Sequence, residues 1–153
     1  MKNMNKYENC LLCPRKCGIN RRTGQTGVCG FSSEIKVARA PLHYWEEPCI
    51  SGKRGSGAVF FSGCSLHCVF CQNREISDGK EGKVISKERL SDIFMELADK
   101  GANNINLVTP GQYIPDIVWA VNDAKSRGMK LPIIYNTSGY ENVTELKPVS
   151  YTH

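Results

Sequence analysis

The fold is decided by one stretch in which an apolar strand runs directly into a cysteine loop: Gly57-Ala58-Val59-Phe60-Phe61-Ser62-Gly63-Cys64-Ser65-Leu66-His67-Cys68-Val69-Phe70-Cys71. Residues 58–61 are continuously apolar, as expected for a strand that is covered on both faces. The cysteines follow with the spacing C-x3-C-x2-C, so their thiolates can turn toward a common point. The stretch predicts a metal-binding loop at the carboxyl end of a buried strand, where active sites form in parallel α/β folds.

Two more strands are predicted after this loop, at 104–108 and 131–135, and an amphipathic helix precedes each of them. The first helix has Ser86 as its N-cap and Gly101 at its end, and the second helix spans 113–127. The order β-α-β-α-β predicts an α/β fold with parallel strands and right-handed crossovers. Because three such units are too few to close a barrel, we expect a partial barrel.

The composition is that of a globular protein in which cysteine is unevenly distributed. There are 20 Lys and Arg against 15 Asp and Glu, and these charges are scattered, so we expect no nucleic-acid partner. The sequence shows neither an apolar run for a membrane helix nor a secretion signal, so we expect no membrane partner and a cytoplasmic location. All eight cysteines lie before residue 72, and in a cytoplasmic protein such crowding indicates metal or redox chemistry.

The loop cysteines Cys64, Cys68 and Cys71 supply three thiolates. Three thiolates suit a [4Fe–4S] cluster in which one iron is left open to a small molecule. The alternative is a zinc site with His67 or Cys49 as the fourth ligand. Because His67 lies between two of the cysteines, we expect its side chain to point away from the position that they share.

A second cysteine set precedes the strand, with the spacing C-x2-C-x3-C-x11-C: Cys10, Cys13, Cys17 and Cys29. Four thiolates can close a tetrahedral zinc site or bind a second cluster, and reduced free thiols are the third alternative. Three arginines near this set are expected to be surface charges: Arg15, Arg21 and Arg22.

The cysteine loop resembles that of the radical S-adenosylmethionine superfamily, in which C-x3-C-x-aromatic-C follows the first strand of a barrel. The context, Tyr44-Trp45-Glu46-Glu47-Pro48-Cys49-Ile50-Ser51-Gly52 leading into 57–64, is similar to that of proteins related to pyruvate formate-lyase activating enzyme. This resemblance implies a Cys-rich, metal-binding N-terminal segment at 1–55 and the first part of a radical S-adenosylmethionine barrel at 56–153.

The resemblance also implies a reaction. The three loop cysteines would hold a [4Fe–4S] cluster, and S-adenosylmethionine would chelate the open iron. An electron from a donor such as flavodoxin or ferredoxin would cleave the sulfonium, giving methionine and a 5′-deoxyadenosyl radical. A protein substrate, activated as a glycyl radical enzyme, is the implied target. The implied cofactor-binding residues follow the ends of the three strands: Phe70, Thr109, Gln112, Asn136 and Thr137.

Several alternatives remain open at this point. Phe70 could belong to the core, and residues 136–139 could form a simple turn. The family has a Gly-Gly-Glu-like stretch where this chain has Thr109-Pro110-Gly111-Gln112. The whole chain could instead be a zinc-dependent binding module or an inactive, truncated fragment, and we expect its last residues, 147–153, to pack loosely.

Overall fold

The predicted buried strand is the central strand of the sheet; it runs from Ser56 to Phe61 (β3) and is buried along its whole length. In the computed structural model, which describes residues 6–149, β3 pairs in parallel with Ile105–Val108 (β5). Strand β5 in turn pairs in parallel with Ile133–Asn136 (β6). The predicted α/β architecture with three parallel strands is therefore confirmed. Strand β3 begins at Ser56, two residues before the apolar run, and Leu42–His43 pairs with these first two residues.

Three antiparallel strands make the sheet mixed rather than purely parallel. The first, Ile35–Arg39 (β1), has alternately buried and less buried side chains and pairs with β3 and with Lys83–Ile85 (β4). The third is Leu42–His43 (β2), which pairs with β3. Strands β2 and β4 are too short to show a periodicity in the sequence. Within residues 6–149 the six-stranded sheet has the order β4-β1-β3-β5-β6 and is open, so the partial barrel remains a prediction.

Two long helices, Lys87–Asp99 (α3) and Ile114–Ser126 (α4), pack against one face of the sheet. Ser86 caps α3 as predicted, because its hydroxyl accepts a hydrogen bond from the backbone N–H of Arg89. The main core lies between these helices and the sheet; its fully buried members include Val59, Phe61, Leu90, Phe94, Ile105, Leu107 and Ile117. Three short helices complete the α-helices of the described residues: Pro48–Ser51 (α1), Arg74–Ser77 (α2) and Val143–Leu146 (α5).

The opposite face of the sheet carries side chains that alternate with those of the main core. Phe60, Val108 and Asn136 lie side by side on this face, because the parallel register pairs Phe60 with Val108 and Val108 with Asn136. A smaller apolar cluster of Ala58, Phe60 and Ile76 covers part of it. The two faces therefore differ: one is filled by α3 and α4, and the other has room for a ligand near the carboxyl ends of the strands.

The described segment before β1, residues 6–34, forms no α-helix or strand and contains a 3-10 turn at Arg21–Thr23. It has a small apolar cluster of its own, formed by Tyr7, Cys10 and Leu12. Of the expected loosely packed end, residues 150–153 lie outside the described residues. None of the helices in the described part of the chain is long and apolar enough to cross a membrane.

Phe94 tests the main core, because its ring is fully buried between α3 and the sheet. Phe94→Ala is expected to lower the free energy of unfolding by about 3–5 kcal/mol, as the buried ring is replaced by a cavity. Urea denaturation followed by circular dichroism measures this change. Asp99→Ala, at an exposed position of the same helix, is the control and should change stability by no more than about 0.5 kcal/mol. Equal effects of the two substitutions would contradict the core assignment.

Candidate metal centre

The cysteine loop leaves the carboxyl end of β3, and its three cysteines are half-buried. Two backbone hydrogen bonds shape it: the N–H of Gly63 donates to the carbonyl oxygen of Ile76 (2.9 Å), and that of Cys71 donates to Cys68 (3.1 Å). The loop is therefore closed on itself between β3 and α2. This closure brings the three cysteines onto one short, turned segment beside the strand ends.

The side chain of Gln112 is hydrogen-bonded to the backbone at the start of the cysteine loop. Its amide nitrogen Nε2 donates to the carbonyl oxygens of Ser62 (3.2 Å) and Gly63 (2.8 Å), and the Tyr113 hydroxyl also donates to Ser62 (3.3 Å). Gln112 is almost fully buried, with 8% of its surface exposed. Both donors of the amide are thus used inside the protein. Gln112 therefore orients the start of the cysteine loop through these two hydrogen bonds.

The ring of Phe31 fills a narrow space between the cysteine loop and the end of α2. A β-carbon built on Gly63 would lie 2.2 Å from this ring, and one built on Gly79 would lie 2.0 Å from it. Both glycines also have positive φ angles, +92° and +73°, which other residues rarely adopt. Any larger residue at either position would displace Phe31 or the loop.

The two alternative fourth ligands, His67 and Cys49, are directed elsewhere. The His67 ring is hydrogen-bonded through Nε2 to the carbonyl oxygen of Val28 (2.9 Å), so this nitrogen carries a proton and cannot bind a metal. Its Nδ1 faces the carboxylate of Asp78 at 3.5 Å. Cys49 is exposed on α1, whose Ile50 carbonyl accepts a hydrogen bond from Asn104, just before β5 begins. Cys49 therefore lies near the amino ends of the strands, opposite the cysteine loop.

A cavity of about 570 Å³ opens beside the loop, over the sheet face that α3 and α4 leave free. Its floor is formed by Phe60 and Val108, and its wall continues into Gln72 and Asn73, directly after Cys71. Its volume is in the range of small-molecule sites. Three of the predicted cofactor-binding residues line it: Thr109, Asn136 and Thr137.

The other predicted cofactor-binding residues occupy different surroundings. Phe70 is 86% exposed and so is not part of the core, which was its alternative role. Gln112 lines a separate, smaller cavity with the second cysteine set.

Thr137, which lines the larger cavity, is also part of the turn expected at 136–139. Its hydroxyl donates to Glu141 (2.8 Å) and accepts a hydrogen bond from the N–H of Gly139 (2.9 Å). Binding of a cofactor by these residues stays a prediction.

The second cysteine set comes together around that smaller cavity, which has a volume of about 30 Å³ and is lined by Cys10, Cys13, Cys17 and Cys29. Burial raises the pKa of the Cys13 thiol, a backbone hydrogen bond from Arg15 lowers it, and the three neighbouring cysteines raise it further. The four thiols are thus electrostatic neighbours. As the side chains are oriented, no group of three or more His, Cys, Asp or Glu residues within 6–149 is positioned to hold a metal ion, in this set or in the cysteine loop.

Arg21 corrects the expectation that the nearby arginines are surface charges. Arg15 and Arg22 are exposed, but only 1% of Arg21 is accessible. Its guanidinium donates to the carbonyl oxygens of Phe31 (3.1 Å), Ser32 (2.6 Å) and Gln112 (2.6 Å). Sequence reasoning missed this role because nothing in the local pattern distinguishes Arg21 from Arg22.

The donor set in the cysteine loop fits a [4Fe–4S] cluster. Three thiols come from one turned segment, and the flanking His67 is committed to Val28. Cys64, Cys68 and Cys71 would therefore hold such a cluster, with one iron available to another ligand.

Gln112→Leu tests the support of this loop. The substitution leaves the carbonyl oxygens of Ser62 and Gly63 without the amide donor, so the free energy of unfolding of the metal-free protein should fall by about 1–3 kcal/mol. The loaded protein should also lose iron faster to a chelator, measured by the decay of visible absorption. Gln72→Leu, at an exposed position of the same loop, is the control for stability. An unchanged rate of iron loss in Gln112→Leu would contradict the supporting role.

Comparison with known proteins agrees with the donor set. Residues 51–147 match the model of the 4Fe-4S single cluster domain family. Over 146 residues the chain is 28% identical to an uncharacterized protein of Methanocaldococcus jannaschii, and the alignment covers 91% of this chain and 41% of that protein. The chain thus spans about two fifths of the length of this curated relative. No solved structure matches the chain significantly. The family match covers more than half of the chain and includes all three loop cysteines, and the chain accordingly belongs to the 4Fe-4S single cluster domain family.

Proposed function

We propose that this protein is a radical S-adenosylmethionine enzyme in which Cys64, Cys68 and Cys71 hold a [4Fe–4S] cluster. The observation that carries the proposal is the incomplete donor set: three cysteines share the loop after β3, the His67 ring is bonded to Val28, and Cys49 is near the other end of the strands. A cluster held by three cysteines leaves one iron free to bind the amino and carboxylate groups of a substrate.

The cavity next to the loop supports this assignment. It begins at Gln72 and Asn73, directly after the third cysteine, and extends along the ends of β5 and β6. Its lining combines backbone and side-chain polar groups at 136–138 with the apolar ring of Phe60. Such a mixture suits a ligand that has both a charged amino-acid part and a nucleoside part. The exposed rings of Phe70 and Trp45 offer flat apolar surfaces against which a purine can pack.

A reduced cluster held by Cys64, Cys68 and Cys71 would supply the one electron that cleaves the sulfonium of S-adenosylmethionine into methionine and a 5′-deoxyadenosyl radical. The protein's own residues orient the reactants and limit the access of water. Gln112 and Tyr113 fix the root of the loop, and Thr109 and Asn136 bring their backbones together through a hydrogen bond of 3.1 Å. An external one-electron donor of low potential, such as flavodoxin or ferredoxin, is part of this proposal.

The substrate of the radical belongs to the same proposal. The cavity is partly open to solvent, so a protein backbone can reach it, as activation of a glycyl radical enzyme requires. Since the chain spans only about two fifths of its curated relative, further chain could contribute to the site of the whole protein.

The proposal is tested by anaerobic reconstitution with iron and sulfide, followed by addition of dithionite and S-adenosylmethionine. We expect a brown protein, and 5′-deoxyadenosine as a product in liquid chromatography. Cys68→Ala should abolish its formation, because two thiolates no longer hold the cluster, whereas Cys49→Ser should leave it unchanged. A colourless protein with stoichiometric zinc would instead support a zinc-dependent binding module, the alternative function. A brown wild-type protein that forms no 5′-deoxyadenosine would leave iron–sulfur binding intact but contradict the radical reaction.

A further inference from the structure

The cavity beside the cysteine loop crosses the free face of the sheet from β1 to β6. One residue from each of four neighbouring strands lines it: Arg39, Phe60, Val108 and Asn136. At the usual spacing between strands this corresponds to about 14 Å. Three of the lining side chains are ionisable: Arg39, His43 and Glu46. The charges of these three side chains decide which ligand the cavity favours.

We propose that Arg39 is a specificity-determining residue of this cavity and that its guanidinium binds a carboxylate group of the ligand. The proposal deepens the function proposed above and rests on it in one respect, since S-adenosylmethionine is one source of the carboxylate. The other source is the molecule that the radical attacks. Both sources offer the same chemistry, a planar anion that two parallel N–H donors can bind.

The guanidinium of Arg39 is held in place from two directions. Its central carbon lies 4.7 Å from the centroid of the Phe60 ring, so the ring covers one of its faces. Its Nη2 donates to the side-chain oxygen Oδ1 of Asn73 (3.2 Å), two residues after Cys71. The backbone of Arg39 is also fixed, because this residue pairs with Phe60 between β1 and β3. A guanidinium that is already oriented loses less conformational freedom when it binds a planar anion.

Arg39 has no carboxylate partner among residues 6–149, whereas four other arginines do. Asp or Glu oxygens lie within 4.0 Å of Arg22, Arg74, Arg89 and Arg127. A guanidinium carries five N–H donors, and Asn73 accepts a hydrogen bond from one of those of Arg39. The donors that remain are available to a ligand that enters the cavity.

The other two ionisable side chains of the cavity face each other. A carboxylate oxygen of Glu46 lies 3.5 Å from Nδ1 of His43. The other residues that line the cavity are neutral amides, hydroxyls and apolar side chains. Arg39 is therefore the permanent positive charge that an anion meets in this cavity. The Phe60 ring keeps water away from one face of the guanidinium, which strengthens its attraction for an anion.

A second cavity, of about 190 Å³, adjoins Arg39 and is also lined by Glu75 and Glu81. Glu75 pairs with Lys80 at 3.1 Å, and in the described part of the chain neither glutamate has an oxygen within 4.0 Å of Arg39. At longer range their charges are screened by solvent. A ligand carboxylate therefore does not have to displace a protein carboxylate in order to bind Arg39.

Binding to the metal-free protein tests the proposal with two matched pairs of probes. S-adenosylhomocysteine is compared with its decarboxylated analogue, and benzoate is compared with benzamide. We expect the wild type to bind the carboxylate of at least one pair about tenfold more tightly, or about 1.4 kcal/mol, in isothermal titration calorimetry. A preference in the first pair assigns the carboxylate to S-adenosylmethionine. A preference in the second pair alone assigns it to the molecule that the radical attacks.

Three variants identify the residue that is responsible. Arg39→Met should abolish the preference, and Arg39→Lys should retain part of it, because lysine keeps the charge but not the two parallel donors. Arg54→Met is the matched control and should leave the preference unchanged. Arg54 is also exposed and also donates to an asparagine side chain, that of Asn103 (3.0 Å), but it does not line the cavity.

A wild type without a preference in either pair would overturn the proposal. A preference that survives in Arg39→Met, or that is lost equally in Arg54→Met, would also overturn it. Since the Arg39 side chain is exposed, its variants are expected to fold, which thermal denaturation checks. The result is separate from the radical reaction, because no cluster is needed. A protein that binds carboxylates through Arg39 but forms no 5′-deoxyadenosine would contradict only the proposed reaction.

Discussion

The buried guanidinium of Arg21 connects the two segments of this protein that carry the cysteines. It binds the carbonyls of Phe31 and Ser32 on one side and the carbonyl of Gln112 on the other. Gln112 in turn donates to the root of the cysteine loop. One continuous series of hydrogen bonds therefore joins the irregular first segment, the turn after β5 and the loop after β3. Because Arg21 and Gln112 are buried, water has little access to replace a lost partner, and the geometry of both cysteine sets depends on this series.

The two faces of the sheet differ because successive side chains along each strand point to opposite faces. Alternation along β3 and β5 sends Val59, Phe61, Ile105 and Leu107 toward α3 and α4, where they form the main core. The opposite face keeps polar, exposed residues at its carboxyl end, such as Asn136. Stability and chemistry are thus assigned to different faces of one sheet, as the ends of parallel strands allow.

The sequence predicted those elements whose signal is local. The apolar run of β3, the Ser86 cap and the periodicity of α3 each specify their structure within a few residues. Strands β2 and β4 escaped prediction because they are only two and three residues long and exist through pairing with distant strands. Arg21 was expected at the surface because its burial depends on carbonyls contributed by residues 31, 32 and 112, which only the tertiary fold brings together. Gln112, expected to bind a cofactor, has its amide turned toward the loop for the same reason.

The ring of Phe31 has a consequence for how this sequence can change over evolution. It occupies the volume that a side chain at Gly63 or Gly79 would need, so the three positions form one steric unit. A larger residue at either glycine would need a smaller residue at position 31 and would still have to adopt a positive φ angle that side chains disfavour. Substitutions at 63 and 79 should therefore be rare in homologous sequences and, where they occur, should be accompanied by a smaller residue at 31. Such covariation would record the contact between the first segment and the cysteine loop.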